Sequence, residues 1–131
     1  MSTPKILIVD DEPNMLKVTE LSLRRGGYEL IVGRNGLEAI ELAEREQPSL
    51  IVMDVLMPEL DGLGALRLLK QSPKTAPIPV ILLTGRGHNL TQQDAEGSGA
   101  SLLLTKPFSP KQLLTEAKRL IDAQAPPPPT P

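Results

Sequence analysis

An α/β fold built on a parallel sheet is predicted by three observations. Five strand-length apolar runs recur at Ile6–Val9, Leu30–Val32, Leu50–Met53, Val80–Leu83 and Leu102–Leu104. Several are apolar at successive positions, as expected of strands covered on both faces. The segments between them carry helical rather than alternating periodicity, so strand and helix alternate five times with right-handed crossovers expected.

Each element has its own signal. The first run, in "KILIVDDEP", ends abruptly in the carboxylates Asp10, Asp11 and Glu12. Charges this crowded stay ionised only where water, a cation or basic side chains compensate them. The first helix closes after Leu23 at Gly26-Gly27, because glycine readily takes the left-handed conformation that ends a helix. Asn35 with Glu38 marks the start of a second helix running to about Glu46, and Leu63, Leu66 and Leu69 give the third its core face. Gly85 to Gly99 is a poor helix former, with glycines at 85, 87, 97 and 99 and mainly Leu90 and Ala95 to offer a core, so the fourth helix is expected to be short or mobile. The last helix is the clearest. Ser109 is a good N-cap, Pro110 suits the first helical position, Gln112 stands three after the cap, and Leu113, Leu114, Ala117, Leu120 and Ile121 form one stripe. Residues 1–123 thus read as one domain. Residues 124–131, "QAPPPPTP", read as an extended proline-rich tail or the first part of a truncated linker.

Composition excludes several function classes. The 131 residues are 40% hydrophobic and 23% charged with a net charge of −2, an ordinary mildly acidic globular balance that gives no electrostatic reason to expect nucleic acid or an anionic membrane as partner. Cysteine is absent, which removes disulfides, thiolate catalysis and Cys-based metal sites. No apolar run approaches the roughly 18 residues of a membrane span, and the start MSTPK lacks the apolar core of a signal peptide. A cytoplasmic protein is expected.

The chemistry lies at the strand ends. In open parallel sheets ligands bind beyond the carboxyl ends of the strands, at a topological switch point. The first run is followed there by Asp10 and Asp11, the third by Asp54, the fourth by Thr84 and the fifth by Lys106. Singly, each is readable as a solvated loop residue. Together they form a set in which carboxylates hold a hard cation such as Mg²⁺, one carboxylate attacks a phosphoryl group, and the ammonium and hydroxyl neutralise its oxygens. Asp61 beside Gly62 reads as a turn residue, His88 as solvent exposed and Arg24-Arg25 as a solvated helix face.

The set Asp10-Asp11, Asp54, Thr84 and Lys106-Pro107, with "MPELDG" after the central aspartate and "GAS" before the last run, closely resembles the receiver domain of two-component response regulators, of the stand-alone chemotaxis type. The resemblance covers the chain to about Ala123. It implies a flavodoxin-like doubly wound (βα)5 fold with strand order 2-1-3-4-5. It implies that Asp54 accepts a phosphoryl group from a phosphohistidine on a sensor histidine kinase or histidine phosphotransfer protein. Asp11, Asp54 and the Leu56 backbone carbonyl would bind Mg²⁺ or Mn²⁺, with Asp10 acting through a metal-bound water. Thr84 and Lys106 would hold the phosphoryl group, and Pro107 would fix the following turn through a cis peptide. The expected role is a phosphorelay signalling module, a monomer or weak homodimer reaching an unknown downstream target without contacting nucleic acid itself, and not an enzyme beyond its own phosphotransfer and autodephosphorylation.

Departures from the family pattern carry their own expectations. Leu103 stands where receivers commonly have an aromatic switch residue, so coupled threonine–aromatic switching is not expected and the Gly-rich fourth-helix region takes its place. Leu56 and Arg86 occupy the two positions that tune dephosphorylation in the family. Two other functional classes compete with the receiver reading. An Mg²⁺-dependent phosphohydrolase passing through an aspartyl phosphate would be expected to show Asp-x-Asp on the first strand, where this chain has adjacent Asp10-Asp11. A pseudo-receiver acting only as an interaction surface would lack phosphorylation residues that are all present here. A receiver fragment of a larger regulator is the remaining alternative.

Overall fold

A computed structural model of the chain describes residues 3–57, 60–85 and 91–124. Five strands, β1 (Lys5–Val9), β2 (Glu29–Gly33), β3 (Leu50–Asp54), β4 (Val80–Thr84) and β5 (Leu102–Thr105), alternate with α1 (Pro13–Arg24), α2 (Gly36–Glu46), α3 (Gly62–Gln71), α4 (Gln92–Gly97) and α5 (Pro110–Gln124). All strand pairs are parallel, in the order β2-β1-β3-β4-β5, as expected.

The pleat explains the uninterrupted apolar runs. Successive side chains point to opposite faces of the sheet, and both faces are covered. Leu7, Val9, Ile51, Met53, Val80, Leu82 and Leu103 face one way and pack against Ala39 and Ala43 of α2, Ala65, Leu66 and Leu69 of α3, and Ala95 of α4. Ile6, Ile8, Leu50, Val52, Ile81, Leu83 and Leu104 face the other way, against Leu16 and Leu23 of α1 and Leu113, Ala117 and Ile121 of α5. The chain leaves β1 toward β2 on the α1 side and returns to β3 on the α2 side. The connections therefore diverge at the carboxyl ends of β1 and β3, which is where a crevice opens in such sheets.

Local chemistry fixes the helix ends. The Asn35 side chain accepts from the Glu38 N–H at 2.9 Å, while Glu38 Oε1 accepts from the Arg34 N–H at 3.3 Å. The Ser109 hydroxyl accepts from the Gln112 N–H at 3.3 Å. Arg25 caps α1, and Gly27 turns the chain away with φ +78°. Helix α4 is short, as expected, with a Thr91–Asp94 capping box and Ala95 as its buried residue. Asp61, at the end of the loop beside Gly62, stands outside the Asp10–Asp11–Asp54 group and is the N-cap of α3, accepting from the Gly64 N–H at 2.8 Å. Turn and N-cap aspartates share the same short-range carboxylate chemistry. Helix α5 runs one residue past the expected boundary at 123, to Gln124. The prolines that follow, like His88 and Arg86, lie outside the described residues. Among the described residues no helix is long and apolar enough to cross a membrane.

Candidate functional site at the carboxyl edge of the sheet

Four strand ends supply the site. Asp10 follows β1, Asp54 is the last residue of β3, Thr84 the last of β4, and Lys106 follows β5. Asp10, Asp54 and Thr84 are the first polar positions after runs whose burial dictates where each strand must lie, and Lys106 comes second after its run, behind Thr105, so packing of the two cores carries these side chains to one edge. Carboxylate oxygens of Asp10, Asp11 and Asp54 come within 4.8 Å of one another. Asp10 and Asp54 are buried and Asp11 is exposed, facing the solvent side of the cluster.

Lys106 is the counter-ion that the crowded carboxylates require. Its Nζ lies 3.2 Å from Asp10 Oδ2 and 3.2 Å from Asp54 Oδ1. The other Asp10 oxygen accepts from the Glu12 N–H at 2.9 Å, which ties the acidic loop back onto the strand end. Burial pushes the Asp54 carboxyl above the ordinary carboxylate range, Lys106 opposes that shift, and Asp10 and Asp11 add to it. Burial is also the largest influence on Lys106 and pulls it down, but the attractions of Asp10 and Asp54 together outweigh it and hold the ammonium above its usual value. Three carboxylates facing one ammonium leave the cluster formally two negative charges in excess. A divalent cation matches that excess.

The donor set fits such a cation. Two oxygens bound to one Mg²⁺ lie at most about twice its 2.0–2.1 Å bond length apart, roughly 4.2 Å. Carboxylate oxygens that all lie within 4.8 Å of one another are close enough to surround one such ion, directly or through its water. The Thr84 hydroxyl is the second notable feature: it is buried and has no hydrogen-bond partner among the described residues. Buried hydroxyls are normally satisfied, and an orphan at a charged site marks a position for an outside acceptor. The Lys106–Pro107 peptide is cis, as the resemblance implied.

The loop after Asp54 is held by a close backbone approach. Gly62 donates its N–H to the Val55 carbonyl at 2.8 Å, and a Cβ at Gly62 would press on the Asp54 carbonyl oxygen and lie 2.9 Å from Val55 Cα. Backbone cannot yield there as a side chain would. Gly62→Ala is expected to destabilise the fold by about 2–3 kcal/mol and shift the acceptor strand end, measurable by denaturant unfolding. Leu56, in contrast, is 55% exposed beside the cluster. Leu103 is buried against the α3 and α4 core, not turned toward solvent. The sequence reading did not single out Gln92, whose side chain bonds both backbone groups of Leu103, or Lys70, whose ammonium donates to the Ala76 and Ile78 carbonyls at 2.8 Å and is held below its ordinary pKa by burial.

Comparison with known proteins identifies the family and the fold. The family model of the response regulator receiver domain matches residues 6–118, and the chain belongs to that family. It is 36% identical over 117 residues to the alkaline phosphatase synthesis transcriptional regulatory protein PhoP of Bacillus subtilis, covering 89% of this chain and 48% of PhoP. The chain thus spans about half the length of that relative. Among solved structures it is similar to the receiver domain of a signal transduction histidine kinase from Syntrophus aciditrophicus, with TM-score 0.85 and 35% identity over 98% of each chain. It is also similar to the receiver domain of the sensor histidine kinase PA1611 from Pseudomonas aeruginosa, solved with a magnesium ion in its active-site cleft, with TM-score 0.84 and 30% identity over 92% of this chain and 99% of that one.

Proposed function

We propose that the chain is a phosphorylation-controlled signalling module in which Asp54 accepts a phosphoryl group from a phosphohistidine of a sensor histidine kinase or histidine phosphotransfer protein. The observation that carries this reading is the convergence of three carboxylates, one ammonium and one orphan buried hydroxyl at a single sheet edge. An Asp54 carboxylate oxygen bonds to phosphorus as the phosphorus–nitrogen bond of the donor breaks, and the electron pair of that bond stays on the imidazole, which takes up a proton. Lys106 exchanges its contact with the Asp54 carboxylate for a phosphoryl oxygen, keeping Asp10 as partner. The Thr84 hydroxyl donates to another phosphoryl oxygen and so gains the bond it lacks. Asp11, Asp54 and the Leu56 carbonyl would hold Mg²⁺ or Mn²⁺ with Asp10 through water, and the ion supplies charge neutralisation that lets an anionic carboxylate meet an anionic phosphoryl group.

On this reading the chain is a phosphoacceptor, not a turnover enzyme, and works in the cytoplasm where its kinase presents phosphohistidine. Its relative PhoP is named as a transcriptional regulatory protein. The test is intact-mass analysis after acetyl phosphate and Mg²⁺. One added phosphoryl group is expected on the native chain and none on Asp54→Ala. A phosphoryl group retained by Asp54→Ala would place the acceptor elsewhere.

Loss of the phosphoryl group depends on water reaching phosphorus. Leu56 is exposed beside Asp54 yet has no polar atom to orient that water. Leu56→Asn is therefore expected to shorten the phosphoryl half-life several-fold, followed by the decay of the phosphorylated mass. An unchanged or longer half-life would contradict this role.

A further inference from the structure

Strand β5 is an edge of the sheet, bonded to β4 on one side only. Its register pairs Leu104 with Leu83, and Lys106 donates its N–H to the Thr84 carbonyl at 2.7 Å. Alternate residues of a strand direct their backbone groups to opposite sides, so Leu103 presents its N–H and C=O outward. A free outward pair of this kind invites pairing with other chains unless something covers it. Here one side chain does. Gln92 Oε1 accepts from the Leu103 N–H at 2.8 Å, and Gln92 Nε2 donates to the Leu103 carbonyl at 3.3 Å. The primary amide stands in for one peptide unit of a sixth strand.

Gln92 is the first residue of α4, and α4 is weakly held. It has six residues, and Ala95 is its buried residue. The amide clamp is thus a principal link between α4 and the sheet. Its two ends also flank the phosphoryl site. Gln92 lies eight residues after Thr84 along the chain, and Leu103 lies three residues before Lys106.

The geometry points to Gln92 as a positioning residue that latches α4 to the β5 edge and is released when Asp54 is phosphorylated. The release rests on the reading of Asp54 as phosphoacceptor. On that reading the Thr84 hydroxyl and the Lys106 ammonium each take a phosphoryl oxygen as a new partner, and the clamp bridges the two stretches of chain that carry them. A two-point clamp whose longer bond is already 3.3 Å tolerates little offset. Release uncovers the Leu103 backbone pair and frees α4, which changes the surface a partner meets without an aromatic switch at position 103.

Amide hydrogen exchange on the full chain, read residue by residue by NMR, tests the latch. In the unphosphorylated chain Gln92→Ala is expected to speed exchange at the Leu103 amide about tenfold, the effect of losing modest hydrogen bonds. Leu104, paired to β4, keeps its rate. Gln92→Glu retains an acceptor for the Leu103 N–H and is expected to keep that protection. Neither variant touches the phosphoryl site, and both are expected to take up phosphate from acetyl phosphate and Mg²⁺ like the native chain. Equal Leu103 rates in native chain and Gln92→Ala, or a parallel rise at Leu104, would overturn the latch. After phosphorylation, verified by intact mass, the native Leu103 amide is expected to exchange at the Gln92→Ala rate. Unchanged protection in a chain carrying the phosphate would overturn release while leaving the phosphoacceptor reading standing. No added phosphate would overturn that reading, and release with it.

Discussion

Replacing Lys106 by alanine removes the one ammonium that, among the described residues, is set against Asp10 and Asp54, and the expected result is a loss of about 2–3 kcal/mol of stability without divalent cations. Removing one partner of a fully buried ion pair costs roughly 3–5 kcal/mol. The lower figure allows for the partial exposure of Lys106 and for water reaching the exposed side at Asp11. Linkage gives the pH range. The Lys106 ammonium is held above 10.5, so its contribution is fully present below that pH and fades only as pH rises through its higher folded value. Lys106 also holds the Asp54 pKa down, so its removal raises that pKa further and the loss should shrink as pH falls and Asp54 takes up its proton. Adding Mg²⁺ should restore more stability to Lys106→Ala than it adds to the native chain, because the variant has a larger excess of negative charge. Urea unfolding with and without Mg²⁺ measures both effects. A variant as stable as the native chain in the absence of metal would show that the lysine is not compensating the carboxylates.

The second large effect concerns Asp54→Asn. Folding raises the Asp54 pKa above its unfolded value of 3.8, chiefly through burial. A raised acid contributes stability below its unfolded pKa and loses it as pH rises through the folded pKa. Ionised Asp54 thus works against the metal-free fold at neutral pH. Asp54→Asn is expected to be more stable than the native chain there, and to lack the native decline as pH rises from 3.8. With Mg²⁺ the order should reverse. A ligand at 100 times its dissociation constant adds about 2.7 kcal/mol to a chain that binds it, and the native chain should gain close to this. The asparagine variant, without a central carboxylate, should gain little. Thermal unfolding at matched pH with and without Mg²⁺ distinguishes these cases. An equal Mg²⁺ gain in both chains would place the cation away from Asp54.

Both effects come from residues legible in the sequence, for a physical reason. A strand buried on both faces reads as an unbroken apolar run, and the first polar residue after it must sit at the strand tip. Asp10, Asp54 and Thr84 are legible that way, and Lys106 follows one residue later, behind Thr105. The short fourth helix was legible too, since its glycines and lack of an apolar stripe leave little to hold it. Other features had no such signature. The Gln92–Leu103 clamp joins residues 11 apart in sequence through a side chain whose partners depend on how α4 lies against β5. Lys70 finds its two carbonyl partners only because the turn after α3 folds back over it. Gly62 reads as an ordinary turn glycine until the fold brings the Asp54 backbone against it. Asp61 shows a subtler limit, since a turn aspartate and an N-cap aspartate use the same carboxylate in the same local way, and only the following helix separates them.

Reductive mapping addresses the central claim most directly. Borohydride reduces an acyl phosphate to the alcohol, converting a phosphorylated aspartate to homoserine at its place in the chain. After phosphorylation with acetyl phosphate and Mg²⁺, the account predicts homoserine at position 54, with Asp10 and Asp11 unaltered. Homoserine at position 10 or 11, or a phosphorylated chain in which no aspartate is reduced, would contradict it.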